Sequence, residues 1–138
     1  RGIVVVMTDA AILDTIIHAA AGLLEGTSPH VGAQGMLILQ TVLNFFIPSG
    51  SGQAAVTMPL MSPLADLLGI TRQTAVIAYQ CGDGFSNMII PTSGTLMAML
   101  LMAGVPYPRW LRFASPLIAQ LLVLSAIFLL IAVSIGYA

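Results

Sequence analysis

Pro48-Ser49-Gly50-Ser51-Gly52 interrupts a chain that is otherwise apolar enough to live in lipid, and the reading of this run decides the fold. An apolar run from Met36 to Ile47 leads into it, and another from Ala54 to Leu68 leads out. Proline has no backbone N–H to donate and adjacent glycines accept conformations that other residues avoid, so a helix is expected to stop over Pro48 to Gly52. In hydrocarbon, irregular backbone survives only where protein buries it or water reaches it. The run therefore reads as the tip of a hairpin and as a candidate binding site.

The arms of that hairpin run from Gly35 to Ile47 and from Gln53 to Leu68, after a polar turn at Glu25 to Gly35. Crossing about 30 Å of hydrocarbon takes roughly 20 apolar residues, so the first arm is too short. The second is expected to be broken by Pro59 and Pro63. Residues 35–68 thus describe a re-entrant loop. Two tilted helices joined by a surface linker are the alternative, which leaves Asn44 and Gln53 in apolar surroundings without a purpose.

Thr71 to Val105 is long enough to span, but two interruptions are expected, at Cys81 to Asn87 and at Pro91 to Gly94. This is the pattern of a discontinuous transmembrane helix. Its break offers Asp83, Ser86, Asn87, Thr92, Ser93 and freed carbonyls, oxygen donors of the kind that hard cations such as sodium prefer. A proline-kinked helix with serines bonded back to its own turn is the plainer alternative. Asp83 argues against it, because a lone carboxylate among apolar neighbours costs several kcal/mol unless it is paired, hydrated or protonated. The last segment, Trp110 to Tyr137, meets the length for a terminal transmembrane helix.

Composition agrees with an all-α membrane protein. Mean hydropathy is +1.01, with 58% apolar and 7% charged residues, whereas a soluble surface takes about a quarter of residues charged. The net charge of −1 leaves no basic footprint for nucleic acid. One cysteine, Cys81, forms no internal disulfide and has no ligand cluster around it. The chain lacks a starting methionine and a signal peptide, and it reads as the C-terminal piece of a longer protein. Residues 1–24 read as a helix end followed by an amphipathic interfacial helix from Thr8 or Asp9, with Ile12, Leu13, Ile16 and Ile17 on one face. Asp9, Asp14 and His18 as a proton relay are the alternative. Arg109 and Arg112 place the Pro106 to Phe113 turn in the cytoplasm by the positive-inside rule, with Tyr107 and Trp110 in the interfacial belt. The hairpin then opens on the outer side, although Arg72 opposes the rule.

Two intramembrane enzyme patterns are incomplete. Aspartyl proteases use Gly-x-Gly-Asp, where this chain has Gln80-Cys81-Gly82-Asp83; serine proteases use Gly-x-Ser-Gly, where Ser49 occupies the first glycine position and His18 and His30 lie in or near polar turns. The chain is not expected to be an enzyme.

The run Asn44-Phe45-Phe46-Ile47-Pro48-Ser49-Gly50-Ser51-Gly52-Gln53-Ala54-Ala55 and the run Gly82-Asp83-Gly84-Phe85-Ser86-Asn87-Met88-Ile89-Ile90-Pro91-Thr92-Ser93-Gly94 closely resemble the YfcC-type branch of the anaerobic dicarboxylate carrier family. Ser49-Gly50-Ser51, Gly82-Asp83, Ser86-Asn87 and Pro91 are more distantly similar to the aminobenzoyl-glutamate transporters of the same ion transporter superfamily. The resemblance implies a multi-pass transporter of the cytoplasmic membrane, of which this chain holds the second half of an inverted repeat. It implies a substrate site at Asn44, Ser49, Gly50, Ser51, Gly52, Gln53, Asn87, Thr92 and Ser93. It further implies a sodium site drawn from Ser49, Ser51, Asp83, Ser86, Pro91, Thr92 and Gly94. Expected partners are the lipid bilayer, a small carboxylate or amino-acid substrate, the N-terminal half of the same protein and a second copy in a homodimer. No cofactor is expected beyond a coupling sodium ion or proton. The function expected is secondary active transport of a dicarboxylate or amino acid, by symport, antiport or exchange; an uncoupled channel or a structural membrane subunit is the alternative.

Overall fold

The computed structural model describes residues 26–137 together with 15, 19 and 22–24. The interfacial-helix and proton-relay readings of Asp9, Asp14 and His18 lie outside the described residues. Five helices follow one another over residues 29–135, and no strand occurs among the described residues.

Helix α1, Pro29–Phe46, begins where the Ser28 hydroxyl accepts the Val31 N–H and Pro29 takes a first-turn position that needs no donor. The expected polar turn is therefore already helical from Pro29. Helix α2, Gly50–Leu67, contains both Pro59 and Pro63, so the expected breaks in this arm are absent. Both prolines face outward, while Thr57, Met61, Leu64 and Ala65 are buried and hold the helix through its missing bonds. The irregular tip shrinks to Ile47–Ser49. Pro48 ends α1, an extended Ser49 opens α2, and Gly50 and Gly52 join its first turn.

Helix α3, Arg72–Ser86, is capped by Thr71 and runs straight through Cys81 to Ser86, so the first expected interruption is not there. Gly82 serves a close crossing instead of a break. A Cβ on it would stand 2.8 Å from Gln40 Cβ and 3.0 Å from the Thr41 nitrogen of α1. Only residues 87–93 are irregular, after which Ser93 caps α4, Gly94–Met102. Helix α5, Tyr107–Ile135, is the one described helix both long and apolar enough to cross a membrane.

Helix α3 is central, packed most extensively on α1 and also on α2 and α5. The core between them is built from Leu37, Leu43, Met61, Leu64, Ala75, Ala78 and Leu129. Gln40 meets Gln53 near the tip, and the Leu68 side chain lies 2.6 Å from where a Gly32 Cβ would stand, so α1 and α2 are antiparallel. The open end of this hairpin sits beside the end of α5: His30 Nε2 is 3.2 Å from Ser134 Oγ, and the Thr71 hydroxyl donates to the Tyr137 carbonyl. The tip, the break and the start of α5 share the opposite end, where Thr92 Oγ1 donates to the Phe45 carbonyl at 2.8 Å.

Candidate functional site

The tip meets α3 through two side chains one helical turn apart. Tyr79 and Asp83 stand at i and i+4 and so share a face. The Tyr79 hydroxyl donates to the Gly50 carbonyl at 2.5 Å. Asp83 Oδ2 lies 3.0 Å from where a Gly50 Cβ would stand, which brings the carboxylate against the start of α2. Ser49 makes no side-chain cap, and the first amides of a helix have no carbonyl ahead of them, so this end of α2 favours negative charge.

Asp83 is 7% exposed, and its Oδ1 accepts the Asn87 amide at 3.0 Å. Among the described residues the only ion pair is Arg72–Asp66, at the exposed turn between α2 and α3, where hydrogen bonding from Arg72 holds the Asp66 carboxyl below the usual carboxylate range. No described cation therefore reaches Asp83. Behind it, Asn44 Nδ2 donates to the Asp83 carbonyl at 3.0 Å and to Ser86 Oγ at 2.7 Å, while Ser86 donates back to the Gly82 carbonyl. These bonds fasten the last turn of α1 to the end of α3.

A second polar layer lies deeper. Gln53 Nε2 donates to the Gln40 carbonyl at 2.9 Å and to Gln40 Oε1 at 2.7 Å. Gln40 Nε2, Asn44 Oδ1, Gln53 Oε1 and Thr57 Oγ1 are buried without a protein partner among the described residues.

A cleft of about 410 Å³ opens between the tip, the break and α5. Its lining combines the polar Asn87, Ser93 and Thr95 with the apolar Pro48, Met88, Leu96, Met99 and Trp110, of which Thr95, Leu96 and Met99 come from α4. That volume is in the range of small-molecule sites. The start of α5 holds the rim, since the Tyr107 hydroxyl donates to the Ile89 carbonyl at 2.6 Å and the Trp110 indole N–H to the Met88 carbonyl at 2.8 Å. These are backbone groups that the helix break has freed.

The fold thus brings Gly50 of the tip against Asp83, which Asn87 bonds, and Asn87 and Ser93 both line the cleft. Asn44 and Ser86 stand behind this group and brace it. Gln53 turns to Gln40, Thr92 is taken up by the Phe45 carbonyl, and Pro91 and Gly94 are exposed. Of the expected sodium ligands, Ser49 and Ser51 flank Gly50, which Asp83 approaches, and both serines are exposed; no group of three or more His, Cys, Asp or Glu forms among the described residues. Tyr79, Gln40 and Thr57 are not among the expected site residues, and Tyr107 and Trp110 are expected only as interfacial aromatics. The signal for the first three is spacing: Tyr79 precedes Asp83 by four residues, as Gln40 precedes Asn44 and Gln53 precedes Thr57.

Comparison with known proteins agrees with this frame. Residues 1–134 match the family DcuC, described as C4-dicarboxylate anaerobic carrier. The chain is 46% identical over 129 residues to the Escherichia coli K12 protein named "Putative basic amino acid antiporter YfcC", covering 94% of this chain and 26% of that protein. It is 34% identical over 135 residues to an uncharacterized protein of Haemophilus influenzae, covering 98% of this chain and again 26% of the relative. The chain spans about a quarter of the length of these relatives. No solved structure matches it.

Proposed function

Since the chain belongs to the DcuC family of C4-dicarboxylate anaerobic carriers, we propose that it forms the substrate-binding second half of a secondary active transporter in the cytoplasmic membrane, and that the substrate is a small amino acid. Within this reading α1 and α2 are a re-entrant hairpin, α3 and α4 are one discontinuous transmembrane helix, and α5 is the terminal span. The observation that carries the substrate class is Asp83, a buried carboxylate beside the start of α2 with no described cation against it. An amino acid satisfies both groups at once. Its ammonium neutralises Asp83, and its carboxylate takes the free amides of α2, which stabilise anions through their N–H groups and the helix dipole. A dicarboxylate brings a second negative charge toward Asp83 and needs a compensating cation. Sodium beside Asp83, Ser49 and Ser51 is the form of coupling that these oxygens favour.

Full-length protein in liposomes, offered a panel of amino acids and C4-dicarboxylates with and without an imposed sodium, proton or substrate gradient, tests this reading. Gradient-dependent amino-acid accumulation is the expected result; accumulation of dicarboxylates alone defeats the substrate assignment, and gradient-independent flux indicates a channel. Orientation has its own test. The contacts that group the open hairpin end with the end of α5 support both hairpin ends lying on the side opposite Arg109 and Arg112. In an otherwise cysteine-free full-length protein, cysteines at Ser28 and Gln73 are expected to react with an impermeant reagent added outside, and one at Pro108 is not. Labelling of the first two from opposite sides makes the hairpin a spanning unit.

A further inference from the structure

We infer that Trp110 is a specificity-determining residue of the cleft, whose indole sets how long a substrate side chain the transporter accepts; this rests on the amino-acid reading above. Asn87, whose amide is bonded to Asp83, lines the cleft together with Ser93 and Thr95, so the cleft reaches toward the place where the charged groups of a substrate belong. The rest of the lining is Pro48, Met88, Leu96, Met99 and Trp110, side chains that offer only dispersion and burial. A substrate whose charged end lies at Asp83 therefore sends its side chain along this apolar lining.

Trp110 differs from the other apolar residues there. Methionine and leucine side chains rotate and adapt, and methionine does so most readily. The indole does not have that freedom here, because its N–H is bonded to the Met88 carbonyl at 2.8 Å. Trp110 is the third residue after Tyr107 on α5, whose hydroxyl holds the next carbonyl, Ile89, at 2.6 Å. Two anchors on consecutive carbonyls fix both the break and the ring, so the ring is a rigid stop. A rigid apolar surface discriminates by methylene count, each methylene being worth about tenfold or more in specificity.

The test uses full-length protein in liposomes and a series of straight-chain α-amino acids differing by single methylenes, with kcat/KM measured for each. Trp110→Ala is expected to move the preferred length upward by at least one methylene and to raise kcat/KM for the longer member about tenfold relative to the shorter. Trp110→Leu is expected to shift in the same direction by less, and it serves where the alanine variant does not reach the membrane. Trp110→Phe keeps a ring but loses the N–H anchor, so it is expected to keep the wild-type preferred length with weaker discrimination between neighbouring lengths, intermediate between wild type and the alanine variant. An unchanged profile in both Ala and Leu variants, with wild-type transport intact, overturns the inference alone. A phenylalanine profile as broad as that of alanine also overturns it, because the ring is then not the determinant. Absence of amino-acid transport by the wild type overturns the amino-acid reading and the inference with it.

Discussion

Helices α1 and α5 lie against the same partner, α3, yet they solve opposite problems. Helix α1 carries Gln40 and Asn44 at 1% and 0% exposure, and both reach across to α2 or α3 for hydrogen bonds. Helix α5 turns Phe113, Val123, Phe128 and Ile135 outward at 58–73% exposure and buries little beyond Ala114, Ile118, Leu129 and Ala132. In lipid an outward apolar face needs no partner, whereas a buried amide without one costs on the order of a kcal/mol or more. The difference shows where shape is specified. Around α1 and α3 the contacts are directional and close; along α5's outer face hydrophobicity alone suffices.

Gly82→Ala is the change expected to hurt most. The new Cβ meets α1 backbone as well as Gln40, and backbone cannot rotate away. Overpacking of this kind costs about 1–3 kcal/mol, so detergent-solubilised protein is expected to unfold several degrees lower in a thermal scan. A variant as stable as wild type would mean that α1 and α3 do not cross at this point.

Asp83→Asn comes next. The amide keeps the shape and removes the charge, so uptake at subsaturating substrate is expected to fall at least tenfold, about 1.4 kcal/mol, with membrane insertion unchanged. Because the lost term is electrostatic, the remaining uptake should also lose its dependence on the coupling ion. Retained uptake with the same ion dependence assigns Asp83 a structural role.

Tyr79→Phe removes one hydroxyl bond from the tip. A net hydrogen bond is worth about 1 kcal/mol, which predicts a KM raised a few-fold with little loss of stability. A KM unchanged within error would show that the Gly50 carbonyl needs no tether.

The smallest effect is predicted on the other side of the comparison. Ile127→Leu on the outward face of α5 alters neither apolar area nor any directional contact, and transport and stability are expected to match wild type. A clear loss there would reveal that this face packs on protein, and so break the contrast with α1.

Much of this is legible in the sequence. Pro48 marks the turn because proline terminates helices wherever nothing compensates, and Asn44, Gln53 and Asp83 mark the interior because polar groups in an apolar chain need partners. The number of breaks was less legible. Gly82 and Gly84 read locally as breakers, but the close approach of α1 makes Gly82 a packing residue, and only the tertiary crossing carries that information. Pro59 and Pro63 likewise read locally as breakers, whereas burial of the opposite face holds α2 together. Tyr107 and Trp110 read as interfacial aromatics. That composition is indifferent to what their polar tips touch, so their grip on Met88 and Ile89 could not be read from it.

Helix α2 has one more property. Pro59 and Pro63 donate no bonds to the carbonyls of Ala55 and Pro59, so two successive rungs are missing along a single outward stripe, 55–59–63–67. The outward stripe therefore adds little stiffness of its own. What resists bending is the inward face, with Gln53 locked to Gln40 near the tip and Met61, Leu64 and Ala65 in the core beyond it. A load on this limb is carried by its packing rather than by its own rungs.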